Sequence, residues 1–323
     1  MSRRNWINSI SLLVCLVALF VLPQAGATDS STIVPGHFHF KTFQVANQFA
    51  LGVENINNFG LVVGYYQTGT ASSPGPTRGF ELFPYGKFQT LIDPLDVEGP
   101  NSGVTEALGV NDWGVIVGEY FDTAAGHYSG FFLHNGKYTS FNVPGHFNTV
   151  VFGINNDVTD FVGIVQTAGP AFFTSGFVSD HGQLTVFTVP GAIFTEAVAI
   201  NNLDQVVGIY EDASGVFHGF TRDRKGHLTF PIDVPGASTA AGLGTVALGI
   251  NDLGVISGHF WDASNIEHGF VRTPSGRFFQ IDVPGAASTA GGGLNDFGVV
   301  VGHYNDQSGN QIGYIAIPDF DEK

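Results

Sequence analysis

The sequence predicts an all-β protein, a six-bladed β-propeller with four-stranded antiparallel blades. Three observations predict it. A segment of about 45 residues recurs six times, the apolar runs within it are short, and no stretch after residue 27 keeps a helical apolar period. The copies are centred on six asparagines, 44 to 54 residues apart: Asn57, Asn111, Asn155, Asn201, Asn251 and Asn295.

Each copy divides into four strands, here called b, c, d and a in chain order. In "GINDLGVISGHFWDASNIEHGFV", residues 249–271, strand b ends at the asparagine, c is "VISGHF" and d is "HGFV". Strand a follows a glycine hairpin. The b–c turn reads Asn-x-x-Gly in four copies. Glycine suits this position because it permits the positive φ of a tight hairpin. In copies three and four, Val158 and Asp204 replace the glycine. Four such strands per repeat are typical of propeller blades.

Counting the strands predicts how the ring closes. There are six b–c–d sets but only five d–a hairpins, while "HFHFKTFQV", residues 37–45, matches strand a and precedes the first strand b. We therefore expect this N-terminal strand to complete the last blade, which removes an open edge. The predicted division is a segment 28–36, one propeller domain 37–317 and an acidic tail 318–323.

Residues 1–27 have the pattern of an export signal. Arg3 and Arg4 precede the apolar run "INSISLLVCLVALFVLP", and Ala25 to Ala27 offer small residues for cleavage. "SRRNWI" fits either a twin-arginine or an ordinary secretory signal. The pattern predicts a secreted or periplasmic bacterial protein, with no membrane span after cleavage.

Composition restricts the partners. The single cysteine, Cys15, lies in the predicted signal, so a large core must stabilise the exported chain without disulfides. Without Arg3 and Arg4, 10 basic residues stand against 28 acidic ones, a formal charge of −18. Such a surface repels nucleic acid and anionic lipid. We expect a monomer.

The repeat resembles the bacterial extracellular HAF family, whose segment Ile-Asn-Asp-x-Gly-x-Val-Gly is followed by His-Ala-Phe. Ile250 to Gly254, Gly258 and His268-Gly269-Phe270 carry the match, which covers about residues 37–317. The chain departs from the family in having Gly in place of Ala in every copy, and His in only two. The resemblance implies a secreted protein and no particular substrate.

The recurring polar residues are best explained by turns. The asparagines cap their own b–c turns. An aspartate begins the c–d turn in four copies: Asp122, Asp212, Asp262 and Asp306. One carboxylate per loop falls short of the six to eight oxygens that calcium takes, so turn capping is favoured over calcium binding.

Histidines cluster late in the chain, at His218, His227, His259, His268 and His303. His259 and His268 are predicted neighbours on strands c and d, and with Glu267 they could begin a zinc or iron site. We favour neither metal nor cofactor. The candidate ligand-binding residues are Asp122, Asp212, His218, His259, Asp262, Glu267, His268, His303 and Asp306.

No catalytic motif is present, so no catalytic residue is predicted. A sialidase needs converging arginines, but Arg78, Arg222, Arg224, Arg272 and Arg277 show no repeated position. The leading hypothesis is a non-catalytic propeller that binds a glycan, peptide or cell-surface partner through the face of the c–d turns, where the insertions "TGTASSPGPT" and "PLDVEGPNSGVTE" fall. The alternative is a polysaccharide hydrolase or lyase with paired acids at the channel mouth.

Overall fold

The computed structural model describes residues 34–46, 48–70, 72–96, 103–168 and 173–319. It is a six-bladed β-propeller of four-stranded antiparallel blades, as the repeat predicts. The described residues contain no helix long and apolar enough to cross a membrane. The predicted signal, residues 1–27, lies outside the described residues.

The strands follow the predicted order b, c, d, a, with b innermost. The two N-terminal strands are β1 (Val34–Pro35) and β2 (Phe38–Phe43). Blade 1 comprises β3 (Gln48–Ile56), β4 (Val62–Thr70), β5 (Ser73–Leu82) and β6 (Phe88–Leu91). Blade 2 comprises β7 (Thr105–Val110), β8 (Ile116–Asp122), β9 (His127–His134) and β10 (Lys137–Phe141). Blade 3 comprises β11 (Asn148–Ile154), β12 (Phe161–Gln166), β13 (Thr174–Asp180) and β14 (Gln183–Phe187).

The second half repeats the arrangement. Blade 4 comprises β15 (Phe194–Ile200), β16 (Val206–Glu211), β17 (Phe217–Arg222) and β18 (Leu228–Ile232). Blade 5 comprises β19 (Thr245–Ile250), β20 (Ile256–Trp261), β21 (Glu267–Arg272) and β22 (Phe278–Ile281). Blade 6 comprises β23 (Ser288–Leu294), β24 (Val300–Asn305) and β25 (Gln311–Pro318), followed by β2 as its outer strand.

The ring closes through the N-terminal strand. β2 pairs antiparallel with β25, from Phe38 opposite Pro318 to Phe43 opposite Gly313. Before it, β1 pairs in parallel with β22 and adds a fifth strand to blade 5. The N terminus thus ties two adjacent blades.

The core lies between the blades. The aromatic residue of each Gly-aromatic step on strand d is fully buried: Phe80, Phe131, Phe177, Phe220, Phe270 and Tyr314. Strand c has a glycine where the backbone of strand b comes closest to it. A Cβ on Gly118 would lie 1.8 Å from the Glu106 carbonyl oxygen, and one on Gly208 would lie 1.9 Å from that of Glu196. Strands b and c therefore approach too closely for any side chain there.

Candidate functional site

The propeller presents two faces. The b–c turns and d–a hairpins form one, here called the turn face; Gly254 of a b–c turn lies against Pro274 of the d–a hairpin in the same blade. The c–d turns and the connectors between blades form the other, here called the loop face. The two long insertions meet on the loop face, where Thr77 bridges Val104.

A closed ring of asparagine side chains surrounds the channel on the turn face. Each Oδ1 accepts backbone N–H groups of its own turn, as Asn251 does from Leu253 (3.1 Å) and Val255 (3.0 Å). Each Nδ2 donates to the backbone carbonyl of the next blade's asparagine at 2.9 to 3.3 Å. The six members are Asn57, Asn111, Asn155, Asn201, Asn251 and Asn295. The turn-capping interpretation is therefore incomplete, because each amide also joins two blades.

A second polar ring follows one residue later. Each Oδ1 accepts the backbone N–H of the preceding blade's equivalent residue at 2.8 to 2.9 Å. Its members are Asn58, Asp112, Asn156, Asn202, Asp252 and Asp296. Together with the asparagine ring they line a cavity of about 70 Å³ at the channel mouth. The mouth is thus a narrow, fixed set of amide and carboxylate groups.

Exposed apolar side chains form a rim around this polar mouth. One stands on each b–c turn, between 48% and 70% exposed: Phe59, Trp113, Val158, Leu203, Leu253 and Phe297. The indole N–H of Trp113 donates to the Asn156 carbonyl (3.0 Å), which fixes the ring between blades 2 and 3. Tyr85, on the neighbouring d–a hairpin, is 74% exposed and stacks on Phe83.

The rim is not among the predicted site residues, although the turn sequences carry a signal of it. Turns favour polar residues, so a large apolar residue two positions after the asparagine in five of the six copies is unusual; in copy three Asp157 occupies that position and Val158 follows it. Only the closed ring shows that these six positions surround one opening.

A groove of about 480 Å³ runs between blades 4 and 5 on the turn face. Leu203 and Leu253 of the rim form part of its wall, and Arg222 and Arg272 line it. These arginines end β17 and β21 at equivalent positions of the two blades. The prediction that no arginine occupies a repeated position was therefore wrong, because "HGFTR" and "HGFVR" place both in one register.

On the loop face, the four predicted aspartates cap their turns. Oδ1 of Asp212 accepts the backbone N–H groups of Ser214 (2.8 Å) and Val216 (2.9 Å). Asp262 and Asp306 make the same pair of bonds, and Asp122 accepts the backbone N–H groups of Ala124 and Ala125 instead. The bond from Val216 holds the pKa of Asp212 below its usual value.

Two histidines of the loop face have matching partners. His218 Nδ1 lies 2.8 Å from Asp233 Oδ1, and its Nε2 lies 3.6 Å from Asp212 Oδ2. In blade 5, His268 is held in the same way, 2.8 Å from Asp282 and 3.6 Å from Asp262. The structure thus joins predicted residues from strand d and the c–d turn, and adds an aspartate after strand a.

The predicted grouping of His259 with His268 does not form. His259 lies opposite Gly269, and His268 lies opposite Phe260, so the two imidazoles point to different faces of the sheet. His259 Nε2 lies 3.5 Å from Glu267 Oε1, and its Nδ1 lies 3.0 Å from the Gly291 carbonyl. Burial and the nearby His259 lower the pKa of His303 to about 4.

A different group has metal-ligand spacing. Among the described residues, ligand atoms of Asp157, Asp160 and His181 lie within 4.8 Å of one another. His181 Nδ1 is 3.0 Å from Asp160 and 3.9 Å from Asp157. Asp160 is buried, and its bonds to the His181 backbone N–H and ring satisfy it without an ion.

Four glutamates on strands b and c have perturbed pKa values. Burial raises the pKa of Glu54, Glu106 and Glu196 to about 7, and raises that of Glu119 well above its usual value. Glu106 and Glu119 share a hydrogen bond across β7 and β8. These carboxyls hold protons at a pH where an exposed glutamate is charged.

The fold is similar to that of six-bladed lectins. A fungal lectin from Aleuria aurantia, with a six-bladed β-propeller fold and a novel fucose recognition mode, matches with a TM-score of 0.51 at 11% identity over 88% of this chain and 98% of that chain. A mutant of this lectin in complex with Fucα1-6GlcNAc matches with a TM-score of 0.51 at 13% identity, over 88% of this chain and 98% of that chain. At such identities the likeness shows the fold alone.

TolB from Acinetobacter baumannii matches with a TM-score of 0.45 at 10% identity, over 68% of this chain and 50% of that chain. This chain therefore spans about half the length of TolB. No protein-family model and no curated protein matches the sequence.

Proposed function

We propose that this protein is an exported, non-catalytic HAF-repeat propeller that binds glycans through its turn face. The observation that carries the proposal is the rim of six exposed apolar side chains around a polar channel mouth. The export signal and the HAF resemblance, both read from the sequence, support its place outside the cell.

The composition of the turn face suits a sugar. Phe297, Phe59 and Trp113 are contributed by the successive blades 6, 1 and 2, so aromatic residues occupy half of the rim. A pyranose presents apolar C–H groups to an aromatic ring and hydroxyl groups to amides and carboxylates, the two kinds of group that alternate here. Trp113 is already fixed by its bond to Asn156, which reduces the entropy lost on binding.

The loop face offers less for such a ligand. Its predicted aspartates and histidines already bond to turn amides or to one another. The fucose-binding lectin of similar fold supports a glycan as the ligand, since the same architecture serves glycan recognition there.

The alternative, a polysaccharide hydrolase or lyase, is favoured by one observation, the raised pKa of Glu106 and Glu119. Two carboxyls in direct hydrogen-bond contact are closer than the roughly 5 Å or more that glycosidases use, and leave no room for a sugar or water between them. Binding without turnover is therefore the proposed activity.

The test is a glycan array probed with the full chain, followed by titration of the glycans that bind. We expect binding without release of reducing ends, and at least a tenfold loss of affinity for Trp113→Ala, about 1.4 kcal/mol. Trp261→Ala, which alters the loop face, is the matched control. Binding abolished by Trp261→Ala alone, or turnover abolished by Glu106→Gln, would overturn the proposal.

A further inference from the structure

The groove between blades 4 and 5 contains two guanidinium groups with no carboxylate partner. Within the described part of the chain, no carboxylate oxygen lies within 4.0 Å of Arg222 or Arg272. Arg222 donates to the backbone carbonyl of Asp223 at 3.5 Å and lies over the Phe187 ring. Arg272 lies over the Phe278 ring, 5.8 Å from its centroid.

The carboxylates of the groove are already occupied. Asp223 accepts the backbone N–H groups of Lys225 (2.9 Å) and His227 (2.8 Å), and its other oxygen bonds the His227 ring (2.9 Å). Asp252 accepts both the backbone N–H and the side-chain amide of Asn202 at 2.8 Å. The arginines therefore hold the unused hydrogen-bonding capacity of the groove.

Arginine at these positions is particular to blades 4 and 5. The equivalent residues of the other blades are small or apolar and mostly buried: Leu82, Leu133, Ser179 and Ala316. Burial lowers the pKa of both arginines, and for Arg222 it outweighs the opposing charges of Asp223 and Asp180. Two adjacent blades thus carry a costly feature that the repeat does not require.

The wider charge distribution points the same way. Seven of the ten Lys and Arg residues after residue 27 lie at the d–a hairpins of the turn face, although the chain as a whole is strongly acidic. These are Lys87, Lys137, Arg222, Arg224, Lys225, Arg272 and Arg277. The turn face also carries aspartates such as Asp112, Asp252 and Asp296, so it repels an anionic ligand less than the loop face does.

We infer that the groove is a carboxylate-binding subsite that selects acidic sugars, the uronates, within the glycan-binding face proposed above, on which this inference rests. A guanidinium fork binds a planar carboxylate through two hydrogen bonds. Thr221, Thr229 and Gln205 line the same groove and supply groups for sugar hydroxyls, while Leu203 and Leu253 supply an apolar wall. Its volume is within the range of small-ligand sites.

The test compares one glycan backbone with and without its charge. Oligogalacturonate and its fully methyl-esterified form are titrated into the full chain by calorimetry. We expect the acid to bind at least tenfold more tightly than the ester, and this preference to shrink as salt rises. Arg272→Gln and Arg222→Gln should each remove most of the preference by weakening binding of the acid toward that of the ester.

Arg277→Gln is the matched control, because Arg277 lies on the same hairpin of blade 5 but stacks on Phe279 outside the groove. It removes the same charge and should keep the preference. Thermal unfolding of each variant verifies that it is folded. Equal affinity for acid and ester, or a preference that survives both groove variants, overturns the inference. If Trp113→Ala still abolishes ester binding in that case, the proposed glycan-binding function stands without the carboxylate subsite. If neither form of oligogalacturonate binds and no glycan of the array binds, both the inference and the proposed glycan-binding function are overturned.

Discussion

The side-chain amide of Asn295 donates to the backbone carbonyl of Asn57 at 3.2 Å, across 238 residues of chain. This bond joins the last blade to the first and completes a ring of six equivalent bonds around the channel. Each member of the ring is also the cap of its own turn, so one residue type stabilises both the hairpin within a blade and the contact between blades.

Removing one asparagine should therefore cost more than removing a turn cap. Asn251→Ala loses the bond to the Asn295 carbonyl and leaves the partly buried backbone N–H groups of Leu253 and Val255 without their acceptor. We expect a loss of about 2–4 kcal/mol in the free energy of unfolding, measured with urea. Leu253→Ala, an exposed position of the same turn, should change that stability by less than about 0.5 kcal/mol. Equal effects of the two variants would show that the ring adds nothing.

The N-terminal strand should be required for a stable monomer. Deleting residues through Phe43 removes β2, exposes the edge of β25 and takes away the contact of Phe40 with Tyr314, whose rings lie 5.7 Å apart. We expect lower stability and self-association, measured by light scattering and urea unfolding. Deleting only residues 1–33 is the control and should leave both unchanged. A peptide of residues 37–45 should restore the monomer to the longer deletion; a stable monomer without it would contradict the closure.

Tryptophan fluorescence can distinguish the two faces. Trp113 lies on the turn face and Trp261 ends strand c of blade 5 on the loop face. The double variant Trp6→Phe with Trp261→Phe leaves Trp113 as reporter, and Trp6→Phe with Trp113→Phe leaves Trp261. A glycan that binds the turn face should change emission in the first variant and leave the second unaltered. The reverse result would place the ligand on the loop face.

Stability should fall as the pH rises from about 4.5 to about 7. The folded protein keeps protons on Glu54, Glu106 and Glu196, whose pKa values are raised to about 7, while the unfolded chain releases them near its ordinary value of 4.5. The unfolded state then binds fewer protons, so the free energy of unfolding decreases, by the order of 1–3 kcal/mol per carboxyl.

His303 acts in the opposite direction. Its pKa is lowered to about 4, so its contribution is complete above about 6.5 and is lost as the pH falls toward 4. Three glutamates outweigh one histidine, and urea midpoints should be higher at pH 5 than at pH 8. Glu54→Gln should reduce the difference and raise stability at pH 8. A midpoint that is the same at both pH values, or higher at pH 8, would rule out protonated carboxyls in the folded state.

The repeat by itself determined the blades and their closure, because that information is local. The Asn-x-x-Gly turn, the Asp-capped c–d turn and the glycine hairpin each define a strand end from neighbouring residues, and six b–c–d sets with five hairpins leave only the N-terminal strand to complete the ring. The same reasoning identified the asparagines as turn caps.

The tertiary structure decided everything that depends on residues one repeat apart. The Asn251 amide bonds Asn295 of the next blade, and Arg222 and Arg272, 50 residues apart, line one groove. His259 and His268, close in sequence, point to opposite faces of their sheet. Such contacts follow from how blades pack around a closed axis, and turn chemistry within one blade carries no information about that packing.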